Sequence, residues 1–349
     1  PIAQVTFGSG DLVLTGSVAS IDGVVGQYCV RRTVLDSILV GAAVEAGAEL
    51  RERFVMEDVL LEGGRVTGIQ GRGPGGAAES ERARLVVGAD GLNSGVARSV
   101  EARSYAERPP LTCVSYAYWR GVSVDDAQFH LGDGRAVSAF PTNDDLTCIA
   151  VAWPAQEARA FRADVEGNYH ATLALAPALA NAVRPEARHG HFVTTADLPT
   201  FFRRPHGPGW ALVGDAGHHK DPLLAQGIAD AFRDAELLAG AIDDGFSARR
   251  ELTEALADYE ARRNRAAMPA HRLATVLARL RLPAGLRRLL RDQAGDQEAI
   301  DRFLAVMAGT FPADEFFPPE SLAVPSPTLR ADAAGADERS PLESRRCIR

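Results

Sequence analysis

The chain is poor in cysteine, has no long apolar run and carries no excess of positive charge. Its four cysteines, Cys29, Cys113, Cys148 and Cys347, are scattered through 349 residues. No C-x-x-C pair and no metal-type spacing occurs, which excludes a disulfide framework and a metal cluster and predicts reduced thiols in the cytoplasm. Cys347 stands third from the end, where a prenylation box cannot use it. No window approaches ~18 uncharged apolar residues, so no membrane-spanning helix is predicted. Lys and Arg number 38 against 46 Asp and Glu, and the net charge of −8 argues against nucleic-acid binding. The first residue is Pro and no signal-peptide pattern follows it. Hydrophobic residues make up 46 % and charged residues 24 %, the balance of a globular protein large enough for a substantial core.

Hydrophobic periodicity gives a mixed α/β order. Residues 3–28 read as strand, turn and strand. Between Arg31 and Leu50, an apolar face of Val34, Leu35, Ile38, Leu39, Ala42 and Ala43 predicts a helix stopping near Gly47. The runs "RFVMEDVLLEG" and "RVTGIQGRG" predict a hairpin, and "ARLVVGADG" a short buried strand ending at Asp90. Residues 111–153 alternate as an antiparallel sheet, with turns at Asp133-Gly134 and Asn143–Asp145. A helix at 165–183, a strand at 191–197 and helices over 246–308 follow, with a kink expected at Pro269. From about residue 323 the Pro-, Ser- and charge-rich end predicts a disordered tail.

Gly71, Gly73 and Gly76 spell G-x-G-x-x-G, a pattern that binds a pyrophosphate only between a strand and a helix N-terminus. Here a proline sits inside the loop and a strand-like run follows, so a hairpin tip is predicted instead.

The stretch "WALVGDAGHHKDPLLAQGIADAFRDAELL", Trp210 to Leu238, has more chemical content. A buried strand runs into Gly214 and Asp215, at the carboxyl end where α/β sheets bind ligands. Pro222 fixes a tight loop, and Gln226 and Gly227 open a helix. Free N–H groups at such an end stabilise a negative charge by ~0.3–1 kcal/mol when exposed and up to ~2 when partly buried. Carboxylate and helix end together suit a flavin, with ribityl hydroxyls for the one and the N1–C2=O edge for the other. The alternative is that Asp215 merely shapes a turn. "ARLVVGADGLNSGVAR" ends a second strand at Asp90-Gly91. Arg32 lies at a helix N-terminus, where a cation is misplaced unless a phosphate faces it; a solvated arginine is the alternative. His218 is expected to pack, His219 and Lys220 are open to either role, and Tyr116, Tyr118 and Trp119 are expected in the core or on a sheet face. The run "FFRRPHGP" is expected as a loop with solvated arginines.

These segments resemble the FAD-dependent aromatic hydroxylase (para-hydroxybenzoate hydroxylase-like) superfamily. "GDAGHHKDPLLAQG" is similar to its G-D-A-A-H-x-x-x-P-x-x-G-Q-G motif, "GADGLNSGVAR" to G-A-D-G-x-x-S-x-V-R, and "RRTVLDSIL" to its R-x-x-L segment. Their order and separation also match, over roughly residues 1–320. The resemblance implies that Asp215, with Gly214, binds the FAD ribityl chain and that Pro222 lies beside the isoalloxazine. It further implies that backbone near Gln226, Gly227 and Ile228 faces the flavin N1–O2 edge, Arg32 the pyrophosphate, and Asp90 and Gly91 both FAD and a passing nicotinamide. NAD(P)H would reduce the flavin, and O2 would then oxygenate a small organic substrate through a flavin hydroperoxide. No catalytic side chain and no metal is predicted, because the cofactor carries the chemistry.

Ala225 and Gly217 replace small family residues, and Ala97 stands at the family's arginine, with Arg98 one place later. The family's N-terminal β-α-β unit with its own G-x-G-x-x-G would fall upstream of residue 1. The expected fold is therefore α/β (α+β): an incomplete FAD-binding domain of glutathione-reductase type, an antiparallel substrate domain and C-terminal helices. Residues 1–28 and 101–204 are assigned to the substrate domain, 29–100 and 205–245 to the FAD domain, 246–322 to the helices and 323–349 to the tail. Two alternatives remain: a fragment unable to hold FAD, and a halogenase-like enzyme, although the W-x-W-x-I signature is absent.

Overall fold

The computed structural model describes residues 1–18, 23–24 and 26–317. The expected tail at 323–349, with Cys347, lies outside them. Strands β1 (Gln4–Ser9) and β2 (Leu12–Ser17) form the first hairpin, and α1 (Arg32–Glu45) ends just before Gly47 at φ +97. Next come β3 (Val55–Glu62), β4 (Arg65–Arg72), β5 (Ala78–Arg82), β6 (Val86–Gly88), α2 (Gly95–Ser99) and β7 (Ser104–Arg108). The central strands are β8 (Thr112–Arg120), β9 (Ala127–Gly132), β10 (Arg135–Pro141) and β11 (Leu146–Pro154). Helices α3 (Ala158–Ala163), α4 (Val165–Thr172) and α5 (Pro177–Ala182) lead to β12 (Arg188–Thr195) and β13 (Thr200–Arg203). Short strands β14 (His206–Gly207), β15 (Trp210–Leu212) and β16 (His218–His219) precede α6 (Gly227–Phe246) and α7 (Leu252–Leu277). The described residues end with α8 (Ala284–Asp292), α9 (Gln297–Ala308) and α10 (Ala313–Phe316).

A seven-stranded sheet in the order β12-β8-β11-β10-β9-β1-β2 dominates. Its pairs are antiparallel except β1 with β9. Asp133 and Gly134 both take positive φ, 52° and 72°, the requirement of a tight turn between β9 and β10. Strand alternation splits the core in two. Cys113, Ala117 and Trp119 of β8 pack with Phe161, Tyr169 and Leu173 under α3 to α5. The opposite face joins Phe7, Phe129 and Ala136 to Leu273, Leu277, Phe303 and Met307 of α7 and α9.

A smaller sheet, β14-β15-β6, carries the parallel pair Trp210↔Val86, Ala211↔Val87 and Leu212↔Gly88. The two strands ending in Gly-x-Asp and Gly-Asp are thus neighbours running in one direction. β6 is an edge strand, and α1 buries none of its residues, leaving Ile38, Leu39, Val40 and Val44 exposed.

Several local expectations change. The expected helix at 165–183 is α4 and α5, separated at Pro177, whose ring suits only a helix start. α7 continues through Pro269 as one helix. The expected loop 201–208 contains β13 and β14, with β13 pairing β7 and β16. Gly73 and Gly76 close the β4–β5 hairpin, as their flanking strands require.

Candidate active site: two joined cavities

The cleft begins where β15 stops. Gly214 takes φ +58, and a Cβ there would lie 3.3 Å from that of Ala231, so glycine lets the turn sit close against α6. Asp215 follows. Burial among the cleft walls pushes its carboxyl up from the ordinary range, opposed by the charges of His219, Arg32 and Lys220. Charges act on it, but no side-chain or backbone donor among the described residues hydrogen-bonds to it. A turn-shaping aspartate would accept such bonds, so its oxygens remain free acceptors.

Helix α6 starts beside it without a side-chain cap. The N–H groups of its first turn are therefore unpaired within the helix, and a Cβ on Gly227 would touch nothing within 4 Å. Gly214, Asp215, Pro222, Gly227, Ile228 and Arg32 line one cleft of about 580 Å³. A free carboxylate, an open helix N-terminus and this volume fit the ribityl chain and the electron-rich edge of a flavin.

Not every predicted residue faces the cleft. The Asp90 carboxylate accepts from Gly95 N (2.7 Å) and Val96 N (3.1 Å), capping α2, and the cleft wall there is Ala89 and Gly91. The buried Gln226 side chain donates to Val306 O and Met307 O, both 3.0 Å, tying α6 to α9. Arg32 heads α1 as expected, but Asp36 one turn on accepts from its Nε (2.7 Å) and Nη2 (3.0 Å). The chain itself supplies the anion that offsets a cation at that helix end.

The cleft is braced from behind. Lys220 Nζ lies 2.5 Å from Asp230 and donates to Gln226 Oε1 at 2.9 Å. Arg233 bridges Asp230 and Asp234, each at 2.7 Å. Two carboxylates of the first turns of α6, Asp230 and Asp234, are balanced by Arg233 of the same helix and by Lys220 from the loop before it. Arg203, expected to be solvated, donates to Ala216 O (2.9 Å), and fully buried Arg263 donates to Gly217 O (3.2 Å). His218 is a packing residue, stacked 4.1 Å from Phe202.

The loop between cleft and core has two testable features. Ala225 holds φ +53, the left-handed region, at the position where the resembled motif has glycine. Ala225→Gly is expected to stabilise the chain by about 1 kcal/mol, read by urea unfolding. Asp221 is buried, accepts from Thr112 Oγ1 (2.7 Å) and Leu223 N (3.2 Å), and is pushed up to about 6 by burial. The unfolded chain releases this proton near pH 4 and the folded chain near pH 6, so this group lowers stability as pH rises through that window. Asp221→Asn is expected to be more stable than the parent at pH 8, by on the order of 2 kcal/mol, with the gain gone below pH 4. Chemical denaturation at both pH values tests it.

A second cavity of about 310 Å³ adjoins the cleft. Arg32, Pro222, Ala225 and Ile228 line both. Its floor is the helix-facing side of the large sheet, and its roof includes Leu223, Leu277 and Met307. Tyr116 and Tyr118, expected to serve packing, line it, whereas Trp119 is core and donates to Tyr169 Oη at 2.9 Å. The sequence signal for this cavity was the alternation of small residues Cys148, Ala150 and Ala152 in "LTCIAVAW".

A small sheet with one parallel strand pair and an open helix end at its carboxyl edge, set against a large antiparallel sheet, defines a flavoprotein-type α/β architecture. A family model described as "FAD binding domain" matches residues 25–274, and the chain belongs to that family, within the aromatic hydroxylase superfamily its motifs resemble. It is 26 % identical over 251 residues to digeranylgeranylglycerophospholipid reductase of Methanocella arvoryzae, covering 67 % of this chain and 59 % of that protein. It is 29 % identical over 277 residues to phenazine 1,6-dicarboxylic acid hydroxylase PhzS of Lysobacter antibioticus, covering 67 % and 62 %. The chain thus spans about six-tenths of the length of these relatives. The fold is shared with flavin-dependent brominase Bmp2, at TM-score 0.71 and 18 % identity over 92 % of this chain and 80 % of that one. It is also shared with Pseudomonas aeruginosa PqsL in complex with 2-aminobenzoylacetate, at TM-score 0.66 and 22 % identity over 84 % and 80 %. The described residues contain no metal-type cluster, their cysteines are free, and none of their helices is long and apolar enough to cross a membrane.

Proposed function

We propose that this chain supplies the flavin cleft and substrate cavity of a cytoplasmic FAD-dependent monooxygenase that uses NAD(P)H and O2 on a small organic substrate. The observation that carries the reading is the adjacency of two cavities across one shared wall of Pro222, Ala225, Ile228 and Arg32: one with a free carboxylate and an open helix end, the other apolar. Bound FAD supplies the redox and oxygen chemistry. Asp215 accepts hydrogen bonds from hydroxyls, the first turn of α6 places N–H donors against negative charge, and the apolar walls keep water from the substrate. Arg32 can turn from Asp36 to a phosphate.

The bare side of α1 and the open edge of β6 support a further reading, that a β-α-β unit holding the adenosine half of FAD packs there. The cavity's apolar walls also suit a reductase acting on a lipid, in line with the name digeranylgeranylglycerophospholipid reductase that the Methanocella arvoryzae relative carries. Oxygen uptake separates the two. With NAD(P)H, FAD and substrate, a monooxygenase consumes O2 in step with product, whereas a reductase forms product under argon.

A further inference from the structure

The cations of the chain are not evenly spread. Between Ala261 and Arg291 stand nine of its 38 Lys and Arg residues, all of them arginine, with no Asp or Glu among them, although the net charge of the whole chain is −8. Arg263 of this run is buried behind the cleft, but the last five, Arg279, Arg281, Arg287, Arg288 and Arg291, lie in the segment that leaves α7 and forms α8. Three contacts fix where that segment sits. Arg287 Nη2 donates to Ser9 Oγ at 3.2 Å, Arg291 Nη2 donates to Asp11 at 2.6 Å, and Arg281 Nη2 is 3.7 Å from where a Cβ on Gly134 would stand. Ser9 ends β1 and Asp11 follows in its turn, Gly134 belongs to the turn after β9, and β1 and β9 are parallel neighbours. Both turns therefore mark one end of the large sheet, and the arginines cover that end.

Few carboxylates answer this charge. Asp11 pairs with Arg291 and lies 3.9 Å from Arg287, and Asp133 and Asp292 are its neighbours at this end. Arg279, Arg281 and Arg288 are exposed and form no ion pair or hydrogen bond among the described residues. The carboxylates of α9 run away from this end along β2, since Gln297 donates to Thr15 O and Asp301 accepts from Ser17 N. α8 turns Leu286 and Leu290 into the core, which leaves charge rather than an apolar face for contact with a partner. The run from Ala261 to Arg291 contains no Phe, Tyr or Trp, so it offers no stacking platform for single-stranded nucleic acid, and the net negative charge opposes a polyanion that wraps the molecule. A bilayer meets one face only. This face also adjoins the apolar cavity, whose lining residues Phe7, Leu131, Ala136 and Leu277 each stand two residues from one of the turns or from Arg279.

We infer that this end of the sheet docks the protein on an anionic lipid bilayer, with Arg279, Arg281 and Arg288 at the contact face. The docking is peripheral and electrostatic, and it does not depend on the flavin reading. The test is co-sedimentation of the full chain with vesicles of phosphatidylglycerol and phosphatidylcholine, set against vesicles of phosphatidylcholine alone. Binding is expected to the anionic vesicles only, and to disappear between ~0.05 and ~0.5 M NaCl as the screening length shortens. The triple variant Arg279→Gln, Arg281→Gln and Arg288→Gln should bind ~100-fold more weakly, since each arginine near an anionic surface strengthens partitioning about 5-fold. Its urea midpoint and FAD uptake should match the parent. A second triple variant, Arg51→Gln, Arg72→Gln and Arg82→Gln, removes the same charge from exposed ion pairs around β3 to β5 and should bind vesicles as the parent does. Equal binding to neutral vesicles, no saturable binding to anionic ones at low salt, or an equal loss in both triple variants overturns the inference, as does tighter binding to single-stranded RNA than to the vesicles. A parent that docks without taking up FAD would uphold the docking and remove the flavin reading; FAD uptake without docking would do the reverse.

Discussion

Asp215→Ala is expected to leave a folded chain that binds FAD between about tenfold and a hundredfold more weakly than the parent, the loss of one or two charge-assisted hydrogen bonds. The chain sacrifices no hydrogen bond among the described residues in this replacement, because none of their donors is paired with that carboxylate. Burial raises its pKa, which means the folded chain already holds the charge at a disadvantage. Removing it is therefore expected to leave the urea midpoint unchanged or higher. Asp215→Asn, which keeps one acceptor oxygen, should fall between parent and alanine. A ligand residue and a turn residue separate here. If Asp215 shaped the turn, the alanine variant would lose stability and cofactor together.

The largest stability effect belongs to Arg233. It bridges Asp230 and the fully buried Asp234, whose Oδ2 already has no partner. Arg233→Ala leaves Lys220 to serve Asp230 but strands Asp234, at a cost of about 3–5 kcal/mol. The double variant Arg233→Leu with Asp234→Leu removes the stranded charge as well as its partner and should recover most of that loss. Urea unfolding of the single and double variants reads both values. An Arg233→Ala chain as stable as the parent would mean that this network contributes nothing to the cleft wall.

Much of this arrangement was legible in the sequence, and the reason differs by element. The strand–Gly–Asp–loop–helix order from Trp210 to Leu238 is local, so the position of Asp215 beside the α6 N-terminus follows from chain punctuation alone. Alternation in "LTCVSYAYWRGV" likewise located β8, although it left Trp119, Tyr116 and Tyr118 alike in the core or on a sheet face. Side-chain use was not local. Asp90 turned to its own α2 cap and Gln226 to carbonyls 80 residues away, choices fixed by tertiary neighbours. The cavity was hidden for the same reason. Tyr116, Ala150 and Ser138 sit on three strands, and only their register brings them into one row. Arg32 illustrates a competing local solution, since Asp36 at the i+4 position was visible in the sequence and answers its charge.

Titration of the full chain with FAD, followed through the flavin visible absorbance bands and fluorescence, addresses the shared cleft most directly. Saturable uptake of one equivalent, with a band shift that Asp215→Ala removes, is the predicted result. Uptake identical in parent and Asp215→Ala, or no saturable uptake up to the solubility of FAD, would contradict it.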